Sequence, residues 1–155
     1  MPEVLPNVEV VIIAISSPLL IGIYEEGRLI EEISSDQKTS EVLLKLLMEI
    51  MQRYHLSRIL YTNGPGSYMA IKLTYITLRT LEITRTIPFY GCDAFSLNGQ
   101  NPIKAMGKLY FIKEKETIIT KKFDEAVEQR FALPSMLSEV TLLDDNKPLY
   151  ILPAV

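Results

Sequence analysis

The sequence is poor in the side chains that most metal sites and many reactions need. Among 155 residues there is one cysteine, Cys92, and one histidine, His55. A lone cysteine closes no disulfide within the chain, which fits a reducing, cytoplasmic setting. A lone histidine leaves any His-based metal cluster or Ser-His-Asp triad with a single candidate. Beside Tyr54, it reads instead as a solvated position at a helix C-terminus. Basic charge is not in excess: the net charge is −3 and the pI about 5.3. That argues against a chain that grips nucleic acid by itself, because neutralising phosphates needs a basic face. An uninterrupted apolar run is also missing. Residues 8–24 are the most apolar stretch, but Glu9, Ser16-Ser17-Pro18 and Gly22 break it, and Glu3 is the only charge before it. It reads as neither a membrane span nor a signal peptide.

What is present describes an ordinary globular chain. Apolar residues make up 48% and charged residues 23%. The length suggests one domain that buries about 68–70% of its unfolded surface. The chain is organised around Asn63-Gly64-Pro65-Gly66-Ser67. A short run of strand formers, residues 58–62, precedes it, and a run without Gly or Pro, residues 67–85, follows. Strand, glycine turn, helix is a geometry that aims backbone N–H groups at an anion. It is also an ordinary turn with a Ser67 cap. The pattern is neither a Walker loop nor G-x-G-x-x-G, so as a bare pattern the capped turn is the favoured reading.

Both long helices are more apolar than one sheet contact requires. On the helix from residue 67, Met69, Leu73, Ile76 and Ile83 form one stripe; Tyr68, Ile71, Tyr75 and Leu78 form the other, and Lys72 sits between. The helix over 39–54, capped by Thr39 or Ser40 with Glu41 in its first turn, is apolar round most of its circumference. A helix pair with this much apolar surface is expected to dock a partner. The expected contact residues are Leu43, Leu47, Met51, Tyr68, Ile71, Tyr75 and Leu78.

In chain order, residues 1–7 read as a loose end. Strands are expected over 9–15, 19–24, 28–34, 58–62 and 87–92, with a hairpin turn at Glu25-Glu26-Gly27. Asp93 reads as a cap opening a short helical turn, and residues 98–102 are turn-like. Residues 108–113 and 117–122 form a hairpin with a charged tip. Residues 123–137 are weakly helical and broken by Pro134. Residues 139–143 and 149–152 are short strands. The order β-β-β-α-β-α-β gives an α/β fold with a mixed five-stranded sheet flanked by helices, of the ribonuclease-H-like and actin-like kind. Residues 1–100 form that part, and 101–155 a shortened, β-rich second subdomain. Active members of that architecture hold metal and phosphate with carboxylates at strand ends. Here the first strand ends Ile15-Ser16-Ser17. A hydroxyl is a poor hard-cation ligand, so no catalytic residue, metal or cofactor is expected on this chain.

Gly64-Pro65-Gly66-Ser67-Tyr68, the long helix after it and Ile87-Pro88-Phe89-Tyr90-Gly91 resemble the TsaB (YeaZ) family, whose motif is Gly-Pro-Gly-Ser-Phe-Thr-Gly-Leu-Arg-Ile-Gly. Thr39-Ser40-Glu41 is similar to that family's His-Ser-Glu helix start. The resemblance covers residues 8–123. It implies a non-catalytic subunit of the bacterial machinery that puts threonylcarbamoyl on the adenosine beside the tRNA anticodon. The implied partners are a TsaD-like transferase and a TsaE-like ATPase; without them, the apolar helix surface is expected to be able to pair with a second copy. The resemblance places ATP and metal on those partners, and tRNA contact in the complex. The chain departs from the pattern where the family has Ile-Asp-Thr-Ser and this chain Ile15-Ser16-Ser17. It departs again where the family has Thr-Gly-Leu-Arg and this chain Met69-Ala70-Ile71-Lys72. Other classes fit the residues too: a nucleotide-binding enzyme using residues 63–67 with Lys72, or a self-associating structural subunit.

Overall fold

The computed structural model describes residues 4–151. The chain runs β1 (Asn7–Ile13), β2 (Leu19–Glu25), β3 (Arg28–Ser35), α1 (Thr39–Arg53), β4 (His55–Thr62), α2 (Tyr68–Arg85), β5 (Phe89–Cys92) and α3 (Ala94–Leu97). It continues with β6 (Ile103–Met106), β7 (Leu109–Glu114), β8 (Thr117–Lys122) and a 3-10 turn at Leu137–Glu139. The first five strands form one mixed sheet in the order β3-β2-β1-β4-β5. β1, β2 and β3 pair antiparallel, whereas β1–β4 and β4–β5 are parallel. β6, β7 and β8 form a second, antiparallel sheet. The expected five-stranded mixed sheet with flanking helices is present.

The sheet is buried on both faces, and β1 shows why. Val8, Val10 and Ile12 point to one face, Val11 and Ile13 to the other, following the period of two. A strand covered on both sides reads as a continuous apolar run rather than an alternation. On the first face α1 and α2 pack side by side, with Leu43, Leu47, Ile50, Leu78 and Leu81 on the strands. On the second face lie Phe95 of α3, Ile103 and Phe111 of the small sheet, and Leu137 and Val140. The turn between β2 and β3 needs positive φ at both central residues, and Glu26 (51°) and Gly27 (78°) supply it.

Several sequence expectations need correction. His55 does not end a helix; it opens β4, its N–H donating to Pro6 at 2.8 Å. α1 begins at Thr39 with Lys38 as its N-cap and no side-chain cap bond, so neither Thr39 nor Ser40 caps it. Residues 123–136 hold no helix; the segment is tied down by side chains, with Asn98 Oδ1 accepting from Arg130 N at 2.6 Å. Residues 139–143 form no strand beyond one bridge between Leu142 and Cys92. β6 was not expected at all. Residues 149–151 are irregular, and Leu152 lies outside the described residues, as do Met1–Glu3 of the expected loose end.

α2 ends on Thr86, a β-branched residue at φ 58° in the left-handed region where helices usually place glycine. Replacing Thr86 by Gly removes that backbone cost, of order 1–3 kcal/mol, and adds a smaller entropy cost of about 0.5–1 kcal/mol. Thr86→Gly is expected to raise stability by about 1 kcal/mol, a melting increase of about 2–4 °C for a chain of this size, read by thermal circular dichroism.

Candidate functional site

Ser67 caps α2: its Oγ accepts from Ala70 N at 3.4 Å. The preceding loop is buried, Asn63 being 4% exposed. Its cover is the chain's own C-terminal segment. That segment first runs antiparallel beside β5, with Asp93 N donating to Thr141 O and Leu143 N to Gly91 O, both at 2.9 Å. It turns at Asp145, whose Oδ1 accepts from Lys147 N at 2.9 Å. It then crosses the loop. Tyr61 OH donates to Asn146 O at 2.6 Å, Asn63 Nδ2 to Lys147 O at 2.9 Å, and Leu149 N to Asn63 O at 2.7 Å. Tyr68 OH donates to Ile151 O, and the Tyr68 and Tyr150 rings meet edge to face at 5.2 Å. Burial pushes the Tyr61 phenol well above its ordinary range, so it stays a donor.

The glycines serve this packing. A Cβ on Gly64, at φ 128°, would lie 2.3 Å from Leu149 O; one on Gly66 would lie 2.7 Å from Ile15 Cβ. Close approach of main chain is the reason for glycine at both positions. Lys72 does not meet the buried loop; it stands exposed beside Tyr68, Met69 and Tyr150. Ser16, Ser17, Thr39, Ser40 and Ser67 instead line a cavity of about 360 Å³ between the starts of α1 and α2, together with Asp36 and Lys38. Among the described residues, no three His, Cys, Asp or Glu side chains gather as a metal group, and no helix is long and apolar enough to cross a membrane. Asp93 caps α3, Oδ1 accepting from Phe95 N at 3.1 Å.

The expected contact residues divide. Leu43, Leu47, Ile71 and Leu78 are core side chains, none more than 2% exposed. They fill the space between helices and strands and offer nothing to a partner, which corrects the sequence reading. Met51 and Tyr75 are half-buried against the same core, Tyr75 edge to face with Phe89 at 5.7 Å. Tyr68 is exposed. The apolar face that remains outside is a different one: Met69, Ile76 and Ile83 on α2, 66%, 50% and 72% exposed, with Leu44 and Met48 on α1. Residues 69, 73, 76, 80 and 83 follow the 4-3-4-3 spacing of a helix-packing seam, a spacing that the buried stripe shares. Thr80 belongs to it because its hydroxyl donates to Ile76 O at 2.8 Å, turning its polar atom inward.

Two outcomes test this geometry. Gly64→Ala meets both a forbidden φ and the Leu149 carbonyl, and is expected to cost about 2 kcal/mol or more in urea unfolding. Gly27→Ala, also at positive φ but with nothing within 4 Å, is expected to cost about 1 kcal/mol. Burial, with the Asp93 charge second, pushes the Cys92 thiol up to about 12. At pH 8 the native chain is therefore expected to stay unmodified by a thiol-disulfide reagent that labels it fully in urea.

No protein-family model matches the chain, and no curated protein does. Solved structures do. YeaZ from Pseudomonas aeruginosa is similar with a TM-score of 0.58 and 12% identity, over 88% of this chain and 67% of that one. A second crystal structure, an uncharacterized protein with similarity to peptidase YeaZ from Pseudomonas aeruginosa, gives 0.57 and 12% identity over 88% of this chain and 66% of that one. The chain thus spans about two thirds of each. At this identity the likeness concerns architecture: over most of its length this chain has the fold of YeaZ.

Proposed function

We propose that this chain is a non-catalytic subunit that docks a TsaD-like transferase in the machinery placing threonylcarbamoyl on the adenosine beside the tRNA anticodon. The observation that carries the reading is the α2 seam of Met69, Leu73, Ile76, Thr80 and Ile83, exposed save for the half-buried Leu73, with Leu44 and Met48 exposed on the adjoining α1. Contiguous exposed apolar surface of this kind marks interfaces, and a matching helix pair on the partner would complete a four-helix contact. The YeaZ fold and the Gly64-Pro65-Gly66-Ser67 motif support the assignment of partner. Ser16 stands where a ribonuclease-H-like or actin-like catalyst would need a carboxylate, which supports leaving ATP and metal to the TsaD-like and TsaE-like subunits. The part from residue 101 is the shortened second subdomain. Its lysines, among them Lys104, Lys108, Lys113, Lys121 and Lys122, reach tRNA only within the complex. Without the partner, the same seam can pair with a second copy, since a two-fold contact uses one patch twice.

Leu73→Asp with Ile76→Asp is expected to give a folded, soluble monomer that no longer co-purifies with the TsaD-like subunit. Ile71→Asp with Leu78→Asp buries charge in the core and is expected to unfold the chain. Retained binding by a folded Leu73→Asp, Ile76→Asp variant would move the interface elsewhere. Millimolar Mg-ATP is expected to leave the melting temperature of the isolated chain unchanged. A ligand at a hundredfold excess over its Kd would add about 2.7 kcal/mol, so a clear upward shift would contradict the reading.

A further inference from the structure

The C-terminal segment lies on the Asn63–Ser67 loop as a ligand lies in a groove. Its own residues 141–151 are exposed or half-buried, while residues 63–66 of the loop beneath are buried. The groove reads main chain: Tyr61 OH, Asn63 Nδ2 and Tyr68 OH donate to the carbonyls of Asn146, Lys147 and Ile151, and Asn63 O accepts from Leu149 N. Its floor is made of glycine, with Leu149 O over Gly64 and Asp145 O 2.8 Å from a Cβ position on Gly91. Backbone recognition with side chains seated beside it is a recurring way of binding an extended peptide; here Ile151 packs half-buried against the core, and the exposed Tyr150 ring meets Tyr68 edge to face. Asn63 Oδ1 is buried without a hydrogen-bond partner among the described residues.

We propose that this groove is a peptide-binding site filled in cis by a detachable strap, residues 144–151, and that its occupant in trans is the same segment of a second copy of this chain. The fit is visible in the cis complex. The strap is held by five hydrogen bonds, one of them Asn146 Nδ2 donating to Phe89 O at 3.1 Å, and all its residues are exposed or half-buried, which puts it at the low end of local opening energies. Exchange needs only a hinge at the exposed Asp144–Asp145 turn, a common low-cost route to association. The inference is independent of the helix seam, which lies on other residues save for its neighbour Tyr68.

The test uses full chains and a short bis-maleimide. Tyr68→Cys with Tyr150→Cys in one chain is expected to close on itself, reporting the cis strap, since buried Cys92 does not compete. A mixture of Tyr68→Cys chains and Tyr150→Cys chains is expected to give a covalent heterodimer. Excess synthetic peptide of residues 144–151 is expected to suppress it by about tenfold or more. Failure of the double variant to close, absence of the heterodimer, or a heterodimer indifferent to the peptide would each overturn the proposal. In the unmodified chain, the Leu149 amide is expected to exchange with solvent by local opening, about a hundredfold or more faster than the core amides of β1. Equal protection of the two would show a fixed strap and overturn it as well.

Discussion

The structure depends on one sheet that must be covered on both sides. β1 is the extreme case: Val10 to Ile13 are all completely buried, two residues to each face. No single layer can satisfy such a strand. Two clusters form, one under α1 and α2 and one under α3, the small sheet and the returning chain. At about 25 cal/mol per Å² of apolar surface removed from water, this double burial is the main source of stability. It also sets what is left over. Two helices that each commit one face to the strands have their remaining apolar residues outside, on a seam that no other described residue covers.

The same demand explains the loop. The parallel pair β4–β5 brings Asn63 and Gly91 to one end of the sheet, where backbone polar groups need partners. The chain supplies them from its far end: Leu143 pairs with Gly91, and Leu149 with Asn63. Glycine at 64 and 91 is the condition for that close approach, and Gly66 gives the loop the same closeness to Ile15. A motif that resembles a phosphate loop in sequence is, in this chain, the floor under its own tail. Tyr61 and Tyr24 complete the pattern, buried phenols that donate to carbonyls of the returning segment, Asn146 and Pro134.

Much of this was legible in advance, for physical reasons. The β-branched runs marked the five strands, and Ser67 and Asp93 announced their caps. The choice of buried stripe on α2 was not legible. Its inner face carries Thr74, which is buried with its hydroxyl donating to Ala70 O, while its outer face carries Met69, Ile76 and Ile83. Hydrophobicity is nearly the same on both sides, so periodicity alone could not orient the helix. On α1 the apolar residues cover most of the circumference, with the same result: Leu43 and Leu47 turned inward and Leu44 and Met48 outward. Residues 123–151 were the least legible. Their order comes from tertiary bonds, such as Gln129 Oε1 accepting from Lys104 N, which leave no local pattern.

The central claim is that the outward seam of α1 and α2 is the face this chain presents to another protein. Side-chain carbene footprinting tests it most directly, with the chain alone and then mixed with the proposed partner, a TsaD-like protein. The account predicts that labelling of Leu44, Met48, Met69, Ile76 and Ile83 falls on mixing, while Ile119 and Met106 of the small sheet keep theirs. Unchanged labelling of the seam, or protection confined to the small sheet, would contradict it.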